Sequence, residues 1–264
     1  MLTIQTLVST MYQKDYSLLD RMNIQTDAIV INQCDTNKIE EFEYKGHKIL
    51  WMSLKERGVG LSRNTALMRA TADIVLFADD DVCYEDSYAS QIVKEFEKYS
   101  DTSFIVFSIT SLRKGEIEKN KKEILPSKKR HWFNVLRFGT FHFAVLREKI
   151  IGKNIFFHLL FGGGAPYSCG EDTIFITEAL KKGLKVRSSN VYIGNVFHNR
   201  STWFNGYTEK YWFDKGILLR YIFGYFAYII GVVLIIKHYK TTNTIGLSKV
   251  LKNLFSGIWK NKLC

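Results

Sequence analysis

An apolar run that ends in three consecutive carboxylates is the feature that most constrains this chain. Within ADIVLFADDDVCY, residues 72–84, the segment Ile74–Phe77 has the length and β-branched character of a short buried strand. Asp79, Asp80 and Asp81 follow where that strand is expected to end. The pattern predicts a strand that places an acidic cluster at one edge of a sheet.

Three adjacent carboxylates repel one another when ionised, which favours a positive ion beside them. Mg²⁺ or Mn²⁺ takes oxygen ligands, commonly one or two carboxylates together with phosphate oxygens of a substrate. Asp79 and Asp81, two residues apart, are therefore the candidate ligands. A solvated acidic turn or a helix N-cap explains the same residues equally well, because aspartate is favoured at both.

Strand-like and helix-like segments alternate along the chain. The predicted strands are residues 2–8, 27–32, 47–52, 74–77, 103–109, 141–146, 184–187 and 191–196. The predicted helices are 61–70, 87–99 and 172–183, and the mostly polar residues between the first two strands can form a further helix. This rhythm predicts an α/β sheet that binds a nucleotide at the carboxyl ends of its strands. Two prolines and the absence of a repeat or a low-complexity linker favour one continuous domain.

The residues around the helix at 61–70 are the next candidates for ligand binding. Gly58 and Gly60 precede it, and glycines there let a phosphate approach a helix N-terminus, although a plain turn is the simpler explanation. Arg63 lies in the first turn, where a cation opposes the helix dipole. It is either held for an anionic partner or is an ordinary exposed arginine.

The stretch GVGLSRNTALMRATADIVLFADDDVCYED, residues 58–86, resembles the nucleotide-sugar half of the family 2 glycosyltransferases. The shared features are an arginine-asparagine helix followed by a strand that ends in a D-x-D motif. The resemblance implies the GT-A fold, a Rossmann-like mixed sheet flanked by helices, with Mn²⁺ or Mg²⁺ as cofactor. It implies that Asp79 contacts the ribose or diphosphate of the donor, that Asp81 ligates the metal, and that Asp80 lies between them. Arg63 would offset the diphosphate charge.

The residues after the second predicted strand depart from the family pattern. Family members usually have an acidic D-D-G-S-type turn there, which contacts the base, whereas this chain has NQCD at residues 32–35. Asn32 and Gln33 are the resulting nucleotide-binding candidates, and the identity of the base stays open.

A second chemical centre lies in FGGGAPYSCGEDTIF, residues 161–175. Its glycines and proline predict an irregular loop, and Glu171 and Asp172 open the next helix. A carboxylate at a helix N-terminus is stabilised as the anion, which a general base requires, although such residues are also common caps. The junction resembles the acceptor-side E-D motif of the family, which implies Asp172 as the base and Glu171 as its support. Gly163 and Gly164 are then acceptor-binding candidates.

Three further candidates follow the last predicted strand. His198 occupies a region where GT-A enzymes often have a histidine that binds metal or diphosphate, although a lone histidine is more often structural. Arg200 is a candidate diphosphate contact. Trp203 belongs to an aromatic group that could stack on an acceptor sugar, lie at a lipid interface or pack against the core.

The C-terminal part differs in composition. Residues 216–264 contain seven Lys and Arg and no Asp or Glu, so they supply most of the net charge of +11. No nucleic-acid-binding motif accompanies this charge, so no nucleic-acid partner is expected. Residues 221–236 are uncharged and of ambiguous length for a membrane span, and the apolar positions between Leu247 and Trp259 recur on one helical face. The tail either associates with a membrane or packs on the globular domain.

These observations predict a catalytic domain at residues 1–215 and a membrane-associating helical tail at 216–264. By resemblance, the activity is inverting, metal-dependent transfer from a nucleotide-sugar, a UDP-sugar by preference, to a glycan or lipid-linked acceptor of a bacterial capsule or exopolysaccharide. The N-terminus has no secretory leader pattern, so the cytoplasmic face of the cell membrane is the expected location. The alternatives are a sugar-phosphate nucleotidyltransferase and a non-catalytic scaffold.

Overall fold

A ten-stranded mixed sheet forms the centre of the protein. The computed structural model describes residues 1–112, 122–197, 206–238 and 245–260. The strands are β1 Ile4–Met11, β2 Asp27–Gln33, β3 Lys38–Tyr44, β4 His47–Leu54, β5 Ile74–Asp79, β6 Val82–Tyr84, β7 Phe104–Leu112, β8 Lys128–Lys129, β9 Phe143–Leu146 and β10 Val186–Phe197. Their order across the sheet is β3-β4-β2-β1-β5-β9-β7-β10-β6, and β8 pairs with β10.

Helices cover both faces of this sheet and form the C-terminal part. They are α1 Leu18–Arg21, α2 Val59–Leu67, α3 Tyr88–Lys98, α4 Trp132–Val135, α5 Arg147–Gly152, α6 Glu171–Lys181, α7 Glu209–Phe223, α8 Ala227–Lys237 and α9 Leu247–Trp259. Short 3₁₀ turns span Thr140–His142 and Gly224–Phe226. The predicted α/β class, with a mixed sheet flanked by helices, is confirmed.

The central strands bring the acidic triplet to the predicted edge. Strand β1 pairs in parallel with both β2 and β5, and Ser9 of β1 lies opposite Asp79 of β5. Strand β5 is buried from Ile74 to Ala78, because alternate residues enter apolar cores on the two faces of the sheet. Asp79 is the first residue of β5 to emerge from these cores, and it does so at the carboxyl edge.

Several predicted elements differ from the structure. The interval between β1 and β2 contains only the four-residue helix α1. The hairpin strand β3 and the short strand β6 were not predicted. The two predicted closing strands are one irregular strand, β10, whose register shifts after Ser188.

The C-terminal helices pack on the sheet domain and on one another. Helix α7 buries Ile217 and Leu218 against Phe161 and Ile174, so the predicted boundary at residues 215 and 216 falls inside a packed helix. The consecutive helical segments Glu209–Lys237 are, by length and composition, long and apolar enough to cross a membrane.

Helix α9 crosses α7 at two glycines. A Cβ atom on Gly216 would clash with the backbone of α9, and one on Gly257 would clash with the backbone of α7. The apolar stripe of α9 is consequently used in packing, with Val250, Leu254 and Ile258 buried. Because these three residues of the stripe are buried, they cannot contact a membrane. Packing on the rest of the protein explains the periodicity.

Candidate active site

A cavity of about 480 Å³ opens at the carboxyl edge of the sheet, between β5 and the start of α6. It brings together two acidic motifs that lie about ninety residues apart in sequence. The sequence-predicted residues that line it are Gln33, Arg63, Asp79, Asp80, Asp81, Gly163, Glu171 and Asp172. Its size and its convergent charged groups are typical of a ligand site.

Arg63 joins the two motifs. Its Nη2 donates to Asp79 Oδ1 at 2.6 Å and its Nη1 donates to Glu171 Oε1 at 2.8 Å, while the side chain is only 4% exposed. The guanidinium lies 5.3 Å from the centre of the Phe157 ring. Burial alone would lower the pKa of Arg63, but the carboxylates of Asp79 and Glu171 outweigh burial and raise it. An anionic partner was predicted for Arg63, and the protein itself supplies two, the carboxylates of Asp79 and Glu171. Arg63 therefore holds the two acidic motifs together.

The three carboxylates of the triplet, Asp79, Asp80 and Asp81, lie close enough to repel one another. Asp79 commits one oxygen to Arg63, and Asp80 Oδ2 accepts a hydrogen bond from Thr10 Oγ1 at 2.6 Å. Burial, followed by repulsion from Asp79 and Asp80, raises the pKa of Asp81 from 3.8 to about 7. A carboxylate whose ionisation is opposed in this way is stabilised by a cation beside it.

The donor set fits a hard divalent cation that takes its remaining ligands from a substrate. Two neighbouring carboxylates supply the oxygen atoms that such an ion prefers. Among the residues that the structure describes, no three His, Cys, Asp or Glu side chains are arranged as a complete metal site. Metal binding at Asp79 and Asp81 therefore needs ligands from outside this part of the chain.

Helix α6 begins with the second acidic motif. Asp172 Oδ1 accepts a hydrogen bond from the Thr173 backbone N–H at 2.6 Å, in the first turn of the helix. Burial and the adjacent Glu171 nonetheless raise the pKa of Asp172 from 3.8 to about 6, against the opposing effects of the Thr173 N–H, Arg63 and Lys215. Desolvation therefore outweighs the stabilisation that the helix N-terminus was expected to give. A carboxylate with this pKa is ionised at neutral pH and is basic enough to accept a proton.

The glycine loop fits between α2 and α6. The Gly163 carbonyl accepts from the Val59 N–H at 2.9 Å, and Gln33 Oε1 accepts from the Gly58 N–H at 2.8 Å. These contacts cover the start of α2, so the glycines there serve packing. The predicted phosphate binding by Gly58 is wrong for its N–H, because this group already donates to Gln33. Gly163 lines the cavity, whereas Gly164 packs against the backbone of Gly58.

Gly162 has a φ of +101°, and a Cβ atom on it would lie 2.7 Å from the Glu171 carboxylate. This position requires glycine, because any side chain would displace the carboxylate that binds Arg63.

Asn32 holds a loop in place. Its Oδ1 accepts from the Gln13 N–H at 2.9 Å, and its Nδ2 donates to the Gln13 carbonyl at 3.1 Å and to Ser53 Oγ at 3.2 Å. Asn32 also lines a second cavity of about 470 Å³, which includes Asp35 and Trp51 and shares Gln13 with the first. The adjacent cavities give a nucleotide room to extend from the triplet toward the end of β2.

Helix α7 supplies residues that the sequence analysis missed. Asp214, which is 1% exposed, accepts from the Ser168 N–H at 3.0 Å and from Ser168 Oγ at 2.8 Å. One turn later, Leu218 packs where a Cβ atom on Gly170 would lie, and Gly170 has a φ of +112°. Asp214 and Leu218 therefore fix the loop on both sides of Cys169, directly before Glu171. The available sequence signal for Asp214 was its position, because it is the last acidic residue before a tail without Asp or Glu.

Three predicted site residues, His198, Arg200 and Trp203, lie outside the described residues.

Comparison with known proteins identifies the class and then the family. Among solved structures, S. aureus TarS 1–349 superimposes with a TM-score of 0.62 at 13% identity, covering 97% of this chain and 80% of that one. TarS 1–349 in complex with UDP-GlcNAc gives a TM-score of 0.60 at 12% identity, covering 83% of this chain and 66% of that one. This chain spans 39% of the chain in a further TarS structure. At these identities the likeness shows a shared fold alone.

The model of glycosyl transferase family 2 matches residues 16–154, just over half of the chain, and this protein belongs to that family. The predicted family is therefore confirmed. No curated protein gives a match to this sequence.

Proposed function

We propose that this protein is an inverting glycosyltransferase that uses a nucleotide-sugar donor, a divalent metal ion and Asp172 as general base. The observation that carries the proposal is the ion-pair bridge Asp79–Arg63–Glu171. It holds the acidic triplet and the Glu171–Asp172 pair on the two Nη atoms of one guanidinium, so both motifs line the same cavity. A displacement between a diphosphate leaving group and an acceptor hydroxyl requires both motifs in one cavity.

The donor proposal is a UDP-sugar. The two adjacent cavities can accept the diphosphate beside Asp79–Asp81 and the nucleoside near Asn32 and Gln33. TarS, whose fold this chain shares, has been crystallised with UDP-GlcNAc and with UDP. This supports the uridine base for the donor.

Asp81 and Asp79 are the residues that would hold Mn²⁺ or Mg²⁺. The ion supplies Lewis-acid stabilisation of the departing diphosphate when it is bound. Arg63 contributes a fixed positive charge in the same cavity, at a place where its ion pairs prevent it from turning away.

The chemical step is a single displacement. Asp172 accepts the proton of the acceptor hydroxyl, whose oxygen forms a bond to the anomeric carbon of the donor sugar. The bond from that carbon to the diphosphate oxygen breaks, and its electron pair leaves with the nucleoside diphosphate. Attack from the side opposite the leaving group inverts the anomeric configuration, and no covalent nucleophile of the protein is needed.

The proposed acceptor is a glycan or a lipid-linked oligosaccharide of a bacterial capsule or exopolysaccharide. The proposed location is the cytoplasmic face of the membrane. The acid-free, cationic tail supports both proposals, because anionic lipids attract such segments.

The first experiment is thermal unfolding of the whole chain with a panel of nucleoside diphosphates, with and without Mn²⁺. A ligand that binds only the folded state raises the melting temperature. We expect UDP to stabilise the wild type in the presence of metal and Asp81→Ala to lose this effect. Asp172→Ala is the matched control, because it removes a carboxylate from the same cavity and should retain the UDP effect.

The second experiment measures hydrolysis of UDP-sugars. Metal-dependent release of UDP by the wild type, lost in Asp81→Ala, supports the transferase. Stabilisation by UDP without any turnover would favour the scaffold, and formation of a nucleotide-sugar from a sugar phosphate and a nucleoside triphosphate would favour the nucleotidyltransferase. Either result would overturn the proposal.

A further inference from the structure

Helix α8 and the turn before it carry an exposed apolar surface. The exposed side chains are Tyr225, Phe226, Ile229, Val232, Val233 and Ile236, which we call the α8 face. Their spacing places them along one side of the helix. Ile229 alone is 65% exposed. A continuous apolar stripe of this kind is unusual on a soluble surface and marks an interaction site.

Within residues 206–238 and 245–260, the tail residues that the structure describes, the neighbouring helices pack against the other side of α8. Ala227, Gly231 and Ile235 form the opposite side of α8 and are buried. They pack in a cluster with residues of α7 and α9, including Leu219 and Leu254. Because the inner side of α8 and the stripe of α9 are both engaged, the α8 face points away from the protein.

A second apolar patch lies on the loop that leads to Gly163, which lines the cavity. Leu159 and Leu160 are exposed in the loop that leads to the glycines at 162–164. The neighbouring rings of His158 and Phe161 lie 5.0 Å and 5.9 Å from the ring of Tyr221, one turn before the α8 face. The loop at residues 158–164 therefore contacts α7 directly before the α8 face.

The charges around the α8 face are all positive within the tail. Residues 216–264 contain no Asp or Glu. Arg220 lies 4.1 Å from the centre of the Tyr225 ring at one end of the face, and Lys237 ends α8 at the other. An apolar stripe between cationic ends is complementary to a bilayer with anionic headgroups.

Two other occupants fit these observations less well. A second copy of the chain would bring two tails of the same charge together, which opposes a symmetric contact. A transmembrane span would need about 30 Å of apolar helix, whereas the eleven residues of α8 extend only about 16 Å, and α7 is packed in the protein.

We infer that the α8 face docks in the plane of an anionic lipid bilayer and holds the loop at residues 158–164 next to its surface. The acceptor class that fits this placement is a glycan whose lipid anchor lies in that bilayer. The acceptor assignment rests on the proposed glycosyltransferase function, whereas the docking itself does not.

The test is co-sedimentation of the whole chain with vesicles. Vesicles of phosphatidylcholine alone are compared with vesicles that also contain phosphatidylglycerol. The variant is Ile229→Asp with Val233→Asp, and the matched control is Ile39→Asp, because Ile39 is 61% exposed on the sheet-edge strand β3, remote in sequence from the tail. All substituted side chains are exposed, so melting temperatures without vesicles should stay unchanged.

We expect the wild type and the control to bind the anionic vesicles, and the double variant to bind at least about tenfold more weakly. Raising the salt from about 0.1 M to about 0.5 M should weaken binding of the wild type, because it screens the charge contribution. Equal binding of the double variant and the wild type, or binding of neither, would overturn the docking. So would resistance of bound protein to alkaline extraction, which indicates a span, or a dimer in solution that the double variant abolishes.

Catalytic assays separate this inference from the proposed function. Asp81→Ala should bind vesicles like the wild type while it loses UDP-sugar turnover. The double variant should retain hydrolysis of the donor in solution and lose at least about tenfold in transfer to extracted lipid acceptors incorporated in anionic vesicles. Equal transfer by the double variant and the wild type would overturn the acceptor class alone.

Discussion

Replacing Arg63 by glutamine is the most informative perturbation of this protein. In the structure Arg63 bridges Asp79 and Glu171 at 2.6 Å and 2.8 Å, and it is almost fully buried. Removing one partner of a buried ion pair costs about 3–5 kcal/mol, because the other charge is left uncompensated. Asp79 keeps 32% exposure and can recover some hydration, so we expect the lower part of this range, about 3 kcal/mol.

The assay is urea and thermal unfolding of the whole chain at neutral pH, in a metal-free buffer. For a chain of this size, about 3 kcal/mol corresponds to a fall of roughly 6–12 °C in melting temperature. The matched control is Arg57→Gln. Arg57 forms an ion pair of the same length, 2.6 Å, but with the highly exposed Asp35, so its loss should lower the melting temperature far less than the loss of Arg63.

A double variant tests the cause. Adding Glu171→Gln to Arg63→Gln removes the more buried of the two carboxylates that lose their partner, and we expect it to recover about 1–2 kcal/mol of the lost stability. If Arg63→Gln is no more destabilising than Arg57→Gln, or if the double variant is less stable than the single one, the bridge is not what organises the cavity.

Three further predictions concern individual carboxylates. Asp81→Asn should raise the melting temperature at about pH 8 without metal. Protonated Asp81 contributes its full stability below the unfolded pKa near 3.8, and this contribution is lost as pH rises through the folded pKa of about 7. The loss has a ceiling of about 4 kcal/mol, which exposure reduces to about 1–2 kcal/mol, and a gain in Asp81→Asn that persists unchanged at about pH 4 would contradict this. For Asp172, kcat/KM should fall as pH decreases through about 6, and a limb near pH 4 would exclude it as the base. Asp214→Asn should lower kcat by at least about tenfold with an unchanged donor KM, and Asp214→Glu should restore part of kcat. A change in KM alone would show that Asp214 does not position the loop at residues 168–170 for the reaction.

Local chemistry explains why both acidic motifs were predictable from the sequence. Asp79–Asp81 follow a buried strand, and Glu171 and Asp172 open a helix after a glycine-rich loop, so each motif is visible within a short window. The bridge between them was not predictable, because Arg63 and Glu171 are 108 residues apart and only the folded sheet brings them together.

Other misses have equally specific causes. Strand β3 carries charged side chains at four of its seven positions, as an exposed hairpin strand at the sheet edge can, so its apolar signal was weak. Strand β10 has a polar stretch at Ser188–Asn190, where the register shifts, and the sequence therefore indicated two strands. The stripe of α9 predicted the helix but left open whether a membrane or the protein covers it, because periodicity shows that a face is apolar without showing its neighbour.

The packing of α7 decides how this enzyme can be prepared for study. A truncation after residue 215 would remove Ile217, Leu218 and Ile222, expose Phe161 and Ile174, and remove the packing on Gly170, directly before Glu171. A shortened soluble form should therefore not end where the apolar tail begins. Point substitutions on the outward side of α8 offer a route to a soluble, active protein with the full helical scaffold in place.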